Sequence, residues 1–138
     1  MAAGGTASIQ VNAPGLPTVT FPVALQPTGF RFSSTSTTTA AGANATVAFG
    51  PAALDPATLQ PLADYALRAD LPIAVPITVT SSNPAVATVP PLVYFYGGDS
   101  RRNLTITGKA AGVATITLTP PPGYATPAAG STLTVTVH

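Results

Sequence analysis

Apolar and polar residues alternate at every second position through much of the chain. In ATITL, residues 114–118, the side chains of Ala114, Ile116 and Leu118 alternate with two threonines. The same period recurs in FRF (30–32), ATVAF (45–49), ITVT (77–80), LTIT (104–107) and TLTVTV (132–137). A period of two places each set of side chains on one face of a strand, and Thr, Val and Ile suit pleated surfaces. The pattern predicts strands with one face in a core and one in solvent.

Turn-forming segments separate these strands. They are rich in Gly, Pro, Asn and Ser, as in QPTG, AAGAN, SSNP, YGGDS, GKAAG and PPPGY. Short strands with such punctuation are typical of antiparallel sandwiches, and the spacing leaves no room for the repeated crossover helices of a parallel sheet. We therefore expect an all-β domain.

One segment, LDPATLQPLADYALRAD (54–70), departs from the alternation. Asp55 stands where a helix N-cap would, Pro56 would occupy the first helical position, and leucines follow at roughly helical spacing. Pro61 keeps any helix short, because proline is tolerated only near a helix start. The segment predicts one short helical connection, or a pair of turns, near residues 55–68 that crosses between sheets.

The start of the chain is similar to a later strand. AAGGTASIQV (2–11) matches AAGVATITL (110–118) with one inserted residue, and each is followed by a Pro-Gly turn and a Thr/Val strand. We expect residues 1–22 to form one or more N-terminal strands and residues 23–138 to form the main domain. The N-terminal strands are either the tail of a preceding module or the first strand of the same domain.

Charge is scarce, and this excludes several classes of protein. Hydrophobic residues make up 46% of the 138 residues and charged residues only 7%, with a net charge of +1. That charge provides no basic surface for nucleic acid. No apolar run approaches the ~20 residues of a membrane-spanning helix, so we expect no membrane insertion. The sequence begins without the basic and apolar regions of a signal peptide, and we expect a fragment of a longer exported protein with Met1 added.

A corner and two later strands carry a family resemblance. VTSSNPAVATV (79–89), LTITGKAAGVATITLT (104–119) and a final LTVTV (133–137) resemble the bacterial Ig-like domain, group 2 type, a module of invasin- and intimin-like surface proteins. The resemblance covers roughly residues 70–138. The matching positions are Ser81, Ser82, Asn83, Pro84, Val86, Ala87, Val89, Gly108, Gly112, Ala114 and Ile116.

This resemblance implies a fold and a role. The fold would be an Ig-like Greek-key β-sandwich, with the short helical connection as an insertion. The role would be that of a non-catalytic structural or spacer module in an adhesin-like protein, located extracellularly or at the bacterial cell surface. Its partners would be neighbouring Ig-like modules, as in a tandem repeat, or other domains of the parent protein.

Candidate catalytic and metal-binding chemistry is sparse. His138 is the single histidine, and the chain has no cysteine and no glutamate. Its four acids are Asp55, Asp64, Asp70 and Asp99. General acid–base catalysis and metal coordination usually need more such groups. We therefore expect no enzyme activity, no metal site and no cofactor.

The segment LVYFYGGDSRRN (92–103) is the candidate binding loop. Tyrosine rings and directional polar groups are typical of sugar sites and protein interfaces. A glycan- or host-protein-binding module is therefore an alternative function, with the site residues Tyr94, Tyr96, Asp99, Arg101 and Arg102. Structurally, the same alternation predicts that Val93 and Phe95 are buried while the tyrosines cover an edge. A third alternative is a self-assembling subunit of an extracellular fibre or virion surface that associates through strand edges.

Overall fold

Every regular element among residues 5–138 of the computed structural model is a β-strand. The model describes residues 5–138, and the side chains of residues 7–22 and 25–138. The strands are β1 (Gly5–Val11), β2 (Val19–Leu25), β3 (Thr28–Phe32), β4 (Ser36–Thr39), β5 (Asn44–Leu54), β6 (Pro61–Asp64), β7 (Val75–Ser81), β8 (Ala87–Thr88), β9 (Leu92–Phe95), β10 (Arg102–Gly108), β11 (Gly112–Thr119) and β12 (Thr132–Val137).

Ten of these strands form two five-stranded sheets. One sheet has the order β3-β5-β10-β8, with β6 added beside β5, and the other has the order β4-β12-β11-β7-β9. All pairings are antiparallel except that of β4 with β12. A four-strand path facing a sheet with three central antiparallel strands is the immunoglobulin arrangement. The predicted all-β sandwich is confirmed.

The two sheets share one hydrophobic core. Along β11 and β12 the pairs Ala114–Val135 and Ile116–Leu133 are buried, while the threonines between them lie on the outer face. From the other sheet Phe30, Phe49, Leu104 and Ile106 pack into the same cluster. All six segments whose alternation predicted strands lie within strands, because one face of each is covered.

The predicted helix near residues 55–68 is wrong. Asp55 does accept hydrogen bonds from the N–H groups of Ala57 and Thr58, at 2.9 and 2.8 Å, but the chain makes a turn there. It then forms β6, which begins at Pro61 and pairs with β5. A β-edge available for pairing overrides local helix propensity, and proline is tolerated as the first residue of an edge strand. Leu62, one of the leucines at helical spacing, is 54% exposed.

Hydrogen bonds hold the SSNP corner where the chain crosses from β7 to β8. The Ser81 hydroxyl donates to the carbonyl of Ala87 at 2.7 Å. The N–H groups of Val86 and Ala87 donate to the carbonyl of Asn83. Ser82 joins the corner to β11, since its N–H donates to Thr115 O and its hydroxyl accepts from Thr115 N, both at 2.9 Å. Asn83 precedes Pro84, which keeps it out of the helical region.

The two glycines of the motif lie where neighbouring segments approach closely, Gly112 at this corner and Gly108 beside the chain between β4 and β5. A Cβ on Gly112, where φ is +151°, would lie 2.8 Å from Val86 Cγ2. A Cβ on Gly108 would lie 2.6 Å from the backbone oxygen of Ala40. Only glycine fits at either position without displacing a neighbour.

Strands β1 and β2 form a separate two-stranded sheet. Their described side chains are all exposed. The hairpin ends at Leu25, three residues beyond the segment 1–22 that was expected to hold the N-terminal strands. Residues 1–4 lie outside the described part of the chain, and the division into 1–22 and 23–138 stays a prediction.

We predict that Gly112→Ala lowers the free energy of unfolding by about 2 kcal/mol, because the new methyl group overlaps Val86. Gly98→Ala is the matched control: its φ is +87° and nothing lies within 4 Å of its Cβ position. It should cost about 1 kcal/mol, through backbone strain alone. Urea denaturation of both variants, of Val86→Ala, and of Gly112→Ala combined with Val86→Ala measures the effect. Strictly additive losses in the double variant would contradict a contact with Val86.

Candidate functional site

Three residues of the candidate binding loop form a cluster with one another. After β9 the chain turns, and Asp99 Oδ2 accepts hydrogen bonds from the backbone N–H of Tyr96 at 2.8 Å and from Arg102 Nη2 at 2.6 Å. The Arg102 guanidinium also lies over the Tyr96 ring, 5.4 Å from its centroid. We call Tyr96, Asp99 and Arg102 the turn cluster. Its polar groups serve mainly to fix the turn.

The other two predicted residues, Arg101 and Tyr94, lie outside the turn cluster. Arg101 Nη2 lies 3.9 Å from Asp64 Oδ2, and the same carboxylate accepts a hydrogen bond from Arg31 Nε at 2.7 Å. Tyr94 lies on β9, an edge strand, and is 47% exposed. Phe95, beside it, is fully buried, as the alternation predicted. The structure therefore does not bring the five predicted site residues together.

The turn cluster has a clear electrostatic consequence. The N–H of Tyr96 and then the guanidinium of Arg102 hold the pKa of Asp99 below that of an ordinary aspartate. Both groups favour the charged carboxylate. The turn is thus held by an ionised Asp99 at neutral pH.

The structure also contains a pocket that the sequence did not predict. Its volume is about 470 Å³, and its walls include Thr28, Tyr65, Leu67, Leu71 and Tyr124. We call it the tyrosine pocket. The hydroxyls of Tyr65 and Thr28 are hydrogen-bonded, and the Tyr124 ring packs against Phe30 with centroids 5.4 Å apart. Burial, and then the nearby Tyr65, raise the pKa of Tyr124.

One wall of the tyrosine pocket is attached to the binding loop. Leu67 N donates to Asp99 O at 2.9 Å, and Gly98 N donates to Leu67 O at 3.0 Å. A Cβ on Gly97 would lie 2.7 Å from Ala69 O, so the two segments are in close backbone contact. The turn cluster therefore supports the pocket. No local signal could have found it, because Tyr65 lay in a predicted helix and Tyr124 in a turn.

The contacts at these sites are apolar packing, hydrogen bonds, ion pairs and one cation–π contact. Among residues 5–138 no group of three or more His, Cys, Asp or Glu side chains is placed to hold a metal ion. The walls of the tyrosine pocket combine apolar side chains with two phenols, and Arg68, at its margin, is paired with Asp70. The described part of the chain also includes no helix long and apolar enough to span a bilayer.

No family model matches the sequence, and no curated protein matches it. Solved structures do match the fold. Domains 4 and 5 of the S-layer protein SbsC match with 22% identity and a TM-score of 0.53, covering 96% of this chain and 65% of that one. SbsC domains 4–9 match with 22% identity and a TM-score of 0.51, covering 97% of this chain and 18% of that one. The chain therefore spans less than two thirds of either structure.

The D00-D0 domain of intimin also matches, with 11% identity and a TM-score of 0.43, over 98% of this chain and 63% of that chain. At identities this low, the SbsC matches show that the sandwich is a known fold. The assignment to the group 2 type of Ig-like domain stays a prediction.

We predict that the pKa of Asp99, followed by NMR of its carboxyl carbon, lies below the ordinary aspartate value. The pKa of Asp99 is lower in the folded state than in the unfolded state. The ionised Asp99 therefore stabilises the fold at pH values above its pKa in the unfolded state. This contribution is lost as the pH falls through its pKa in the folded state. Arg102→Ala should raise the pKa only part of the way, since the Tyr96 N–H remains. Arg101→Ala, which removes a partner of Asp64, is the control. An equal rise in both variants would contradict the assigned contacts.

Proposed function

We propose that the chain is a non-catalytic structural module of an exported bacterial surface protein, where it acts as a spacer for a distal domain. The carrying observation is that the fold of S-layer protein domains extends over 96% of the chain. The SSNP corner and its two glycines, typical of bacterial Ig-like modules, add support. On this proposal the partners are neighbouring modules or other domains of the parent chain, and the location is extracellular or at the cell surface.

The strand arrangement suits a module under tension. β4 lies near the start of the sandwich, β12 ends it, and the two pair in parallel. Pulling on the two ends moves parallel strands past each other, so that their hydrogen bonds are loaded together rather than one by one. Bonds at both ends of the pair close the ladder: Thr134 N to Thr35 O at 3.0 Å, His138 N to Thr39 O at 3.1 Å and Ala41 N to His138 O at 3.0 Å.

We predict that Thr37→Pro weakens the module under force more than Thr38→Pro does. In a parallel ladder alternate N–H groups face the partner, so the pattern of bonds places the N–H of Thr37 toward β12 and that of Thr38 away from it. Removing one bond, about 1 kcal/mol, should speed forced unfolding by about fivefold. Single-molecule pulling on the two ends of the chain measures this.

Both variants add a proline to the same edge strand, so general effects of proline cancel between them. Equal unfolding forces in the two variants would show that the β4–β12 pair does not bear the load. An unmutated sandwich that unfolds at forces no higher than the hairpin β1–β2 would remove the spacer function itself.

A binding module that uses the 92–103 loop is the second candidate. The observation in its favour is that two tyrosines at the end of β9 are exposed. Tyr94, on the strand, exposes 47% of its surface, and Tyr96, directly after the strand, exposes 53%. Exposed tyrosine rings are suited to packing against sugars or protein surfaces. A glycan array probed with the unmutated protein and with Tyr94→Ala and Tyr96→Ala tests this. Binding that is lost in both variants supports this function, and no binding by the unmutated protein contradicts it.

A further inference from the structure

The N-terminal hairpin β1–β2 exposes an apolar face. In its register Ile9 is opposite Phe21 and Val11 is opposite Val19, which places these four side chains on one face. They are 54%, 52%, 50% and 45% exposed, respectively. The opposite face includes Ser8, Gln10 and Thr20. A strand pair with one apolar and one polar face is built to cover a core.

The hairpin matches the last hairpin of the sandwich residue by residue. The sequence Gly-x-Ala-x-Ile-x-Val of β1 (5–11) corresponds without a gap to Gly-x-Ala-x-Ile-x-Leu of β11 (112–118). The pairing corresponds as well. Gly5 and Gly112 pair with Leu25 and Val137, and Ile9 and Ile116 pair with Phe21 and Leu133. Strand β2, with seven residues against the six of β12, thus has the register of β12.

The matching face of β11–β12 is completely covered. Ala114, Ile116, Leu118, Leu133, Val135 and Val137 are each at most 2% exposed, because the facing sheet packs on them. Both edges of that hairpin are also paired, β11 with β7 and β12 with β4. In the described structure β1–β2 has neither partner strands nor a facing sheet. A hairpin without them is marginally stable in water.

We propose that β1–β2 is the closing hairpin of a second immunoglobulin-like module that precedes this one in the parent protein. Its face of Ala7, Ile9, Val11, Val19 and Phe21 would pack against the inner face of that module's facing sheet. The earlier strands of that module would pair with both edges of the hairpin. The proposal rests on the proposed function, since it requires a chain of several modules.

Two further observations favour this occupant. The match to SbsC covers 96% of this chain and 65% of a chain that consists of two domains. One of two equal domains would account for only half of that chain, so the match extends beyond a single domain. The hairpin has no charged residue between positions 5 and 25, and neither do β11 and β12. A second copy of the hairpin is a poorer occupant, because two hairpins packed face to face leave four strand edges unpaired.

Pro22 indicates that the preceding module would differ from this sandwich by one hydrogen bond between strands. It occupies the position of Thr134, whose N–H donates to Thr35 O in the β4–β12 pair. Proline has no N–H, so the parallel strand beside β2 would lack that bond. When no neighbouring strand pairs with β2, the same proline also blocks unspecific pairing at the outer edge of this strand.

A fusion protein tests the proposal. A copy of residues 27–111 replaces residues 1–4 directly before Gly5, so that Gly5 follows Ala111 as Gly112 does. If β1–β2 is a closing hairpin, it completes the added copy. Amide hydrogen exchange in β1–β2, measured by mass spectrometry, should then slow at least a hundredfold relative to the 138-residue protein. Unchanged exchange both here and in a fusion that carries Val11→Leu and Phe21→Leu, with the sandwich of 28–138 still protected, would overturn the proposal.

Two variants of the fusion make the result specific. Phe21→Asp places a charge on the inner face and should abolish the protection, whereas Thr20→Asp, one residue away on the opposite face, should leave it intact. A third variant, Val11→Leu combined with Phe21→Leu, gives the hairpin the leucines that β11 and β12 carry at the corresponding positions, Leu118 and Leu133. Protection in either the unmutated or the leucine fusion supports the proposal, and protection in neither overturns it.

Light scattering on the 138-residue protein tests whether a second copy of the chain, rather than a preceding module, covers the apolar face of the hairpin. A dimer that Phe21→Asp dissociates, together with an unprotected hairpin in the fusion, would assign the face to a second copy of the chain. The pulling experiment on β4–β12 is independent of these results. A failed spacer function and a failed hairpin proposal are therefore distinguishable.

Discussion

A row of packed aromatic rings joins the two sheets, and the rest of the fold depends on it. Phe32, Phe49, Phe95 and Phe30 follow one another with centroid distances of 5.8, 5.2 and 5.0 Å. Three of these rings come from β3 and β5 of one sheet, and Phe95 comes from β9, the edge strand of the other. Each such pair contributes about 0.5–1.5 kcal/mol beyond its buried area. With no disulfide and few charges, cohesion between the sheets comes from this packing.

Burying Phe95 also determines what the loop after it can do. Because its ring is held between Phe30 and Phe49, the chain leaves β9 in a fixed direction, and the turn cluster forms immediately afterwards. The Asp99 carbonyl then accepts the N–H of Leu67 and holds the wall of the tyrosine pocket. The polar residues of the loop are therefore used largely in building the end of the sandwich, which fits a structural role better than a convergent binding site.

The sequence predicted those features that depend on local pattern. Alternation located β3, β5, β7, β10, β11 and β12, because strands with one covered face need a period of two. The helix signals at residues 55–68 misled, because Asp55 and Pro56 are good helix-start residues but pairing with β5 determined the structure. The tyrosine pocket was beyond prediction for another reason. Tyr65 and Tyr124 meet only because the sheets are already assembled, and neither segment carries a pattern that points to the other.

If β1–β2 closes the preceding module, the connection between modules is very short. Leu25 ends the hairpin, and Pro27 is already fully buried in this sandwich, where its carbonyl accepts the N–H of Leu54 at 2.9 Å. Gln26 alone would link the two cores. A linker of one residue transmits tension with little slack, whereas a long Gly/Ser-rich linker would behave as a flexible coil. Because Gln26 also lines the tyrosine pocket, the pocket lies at this junction.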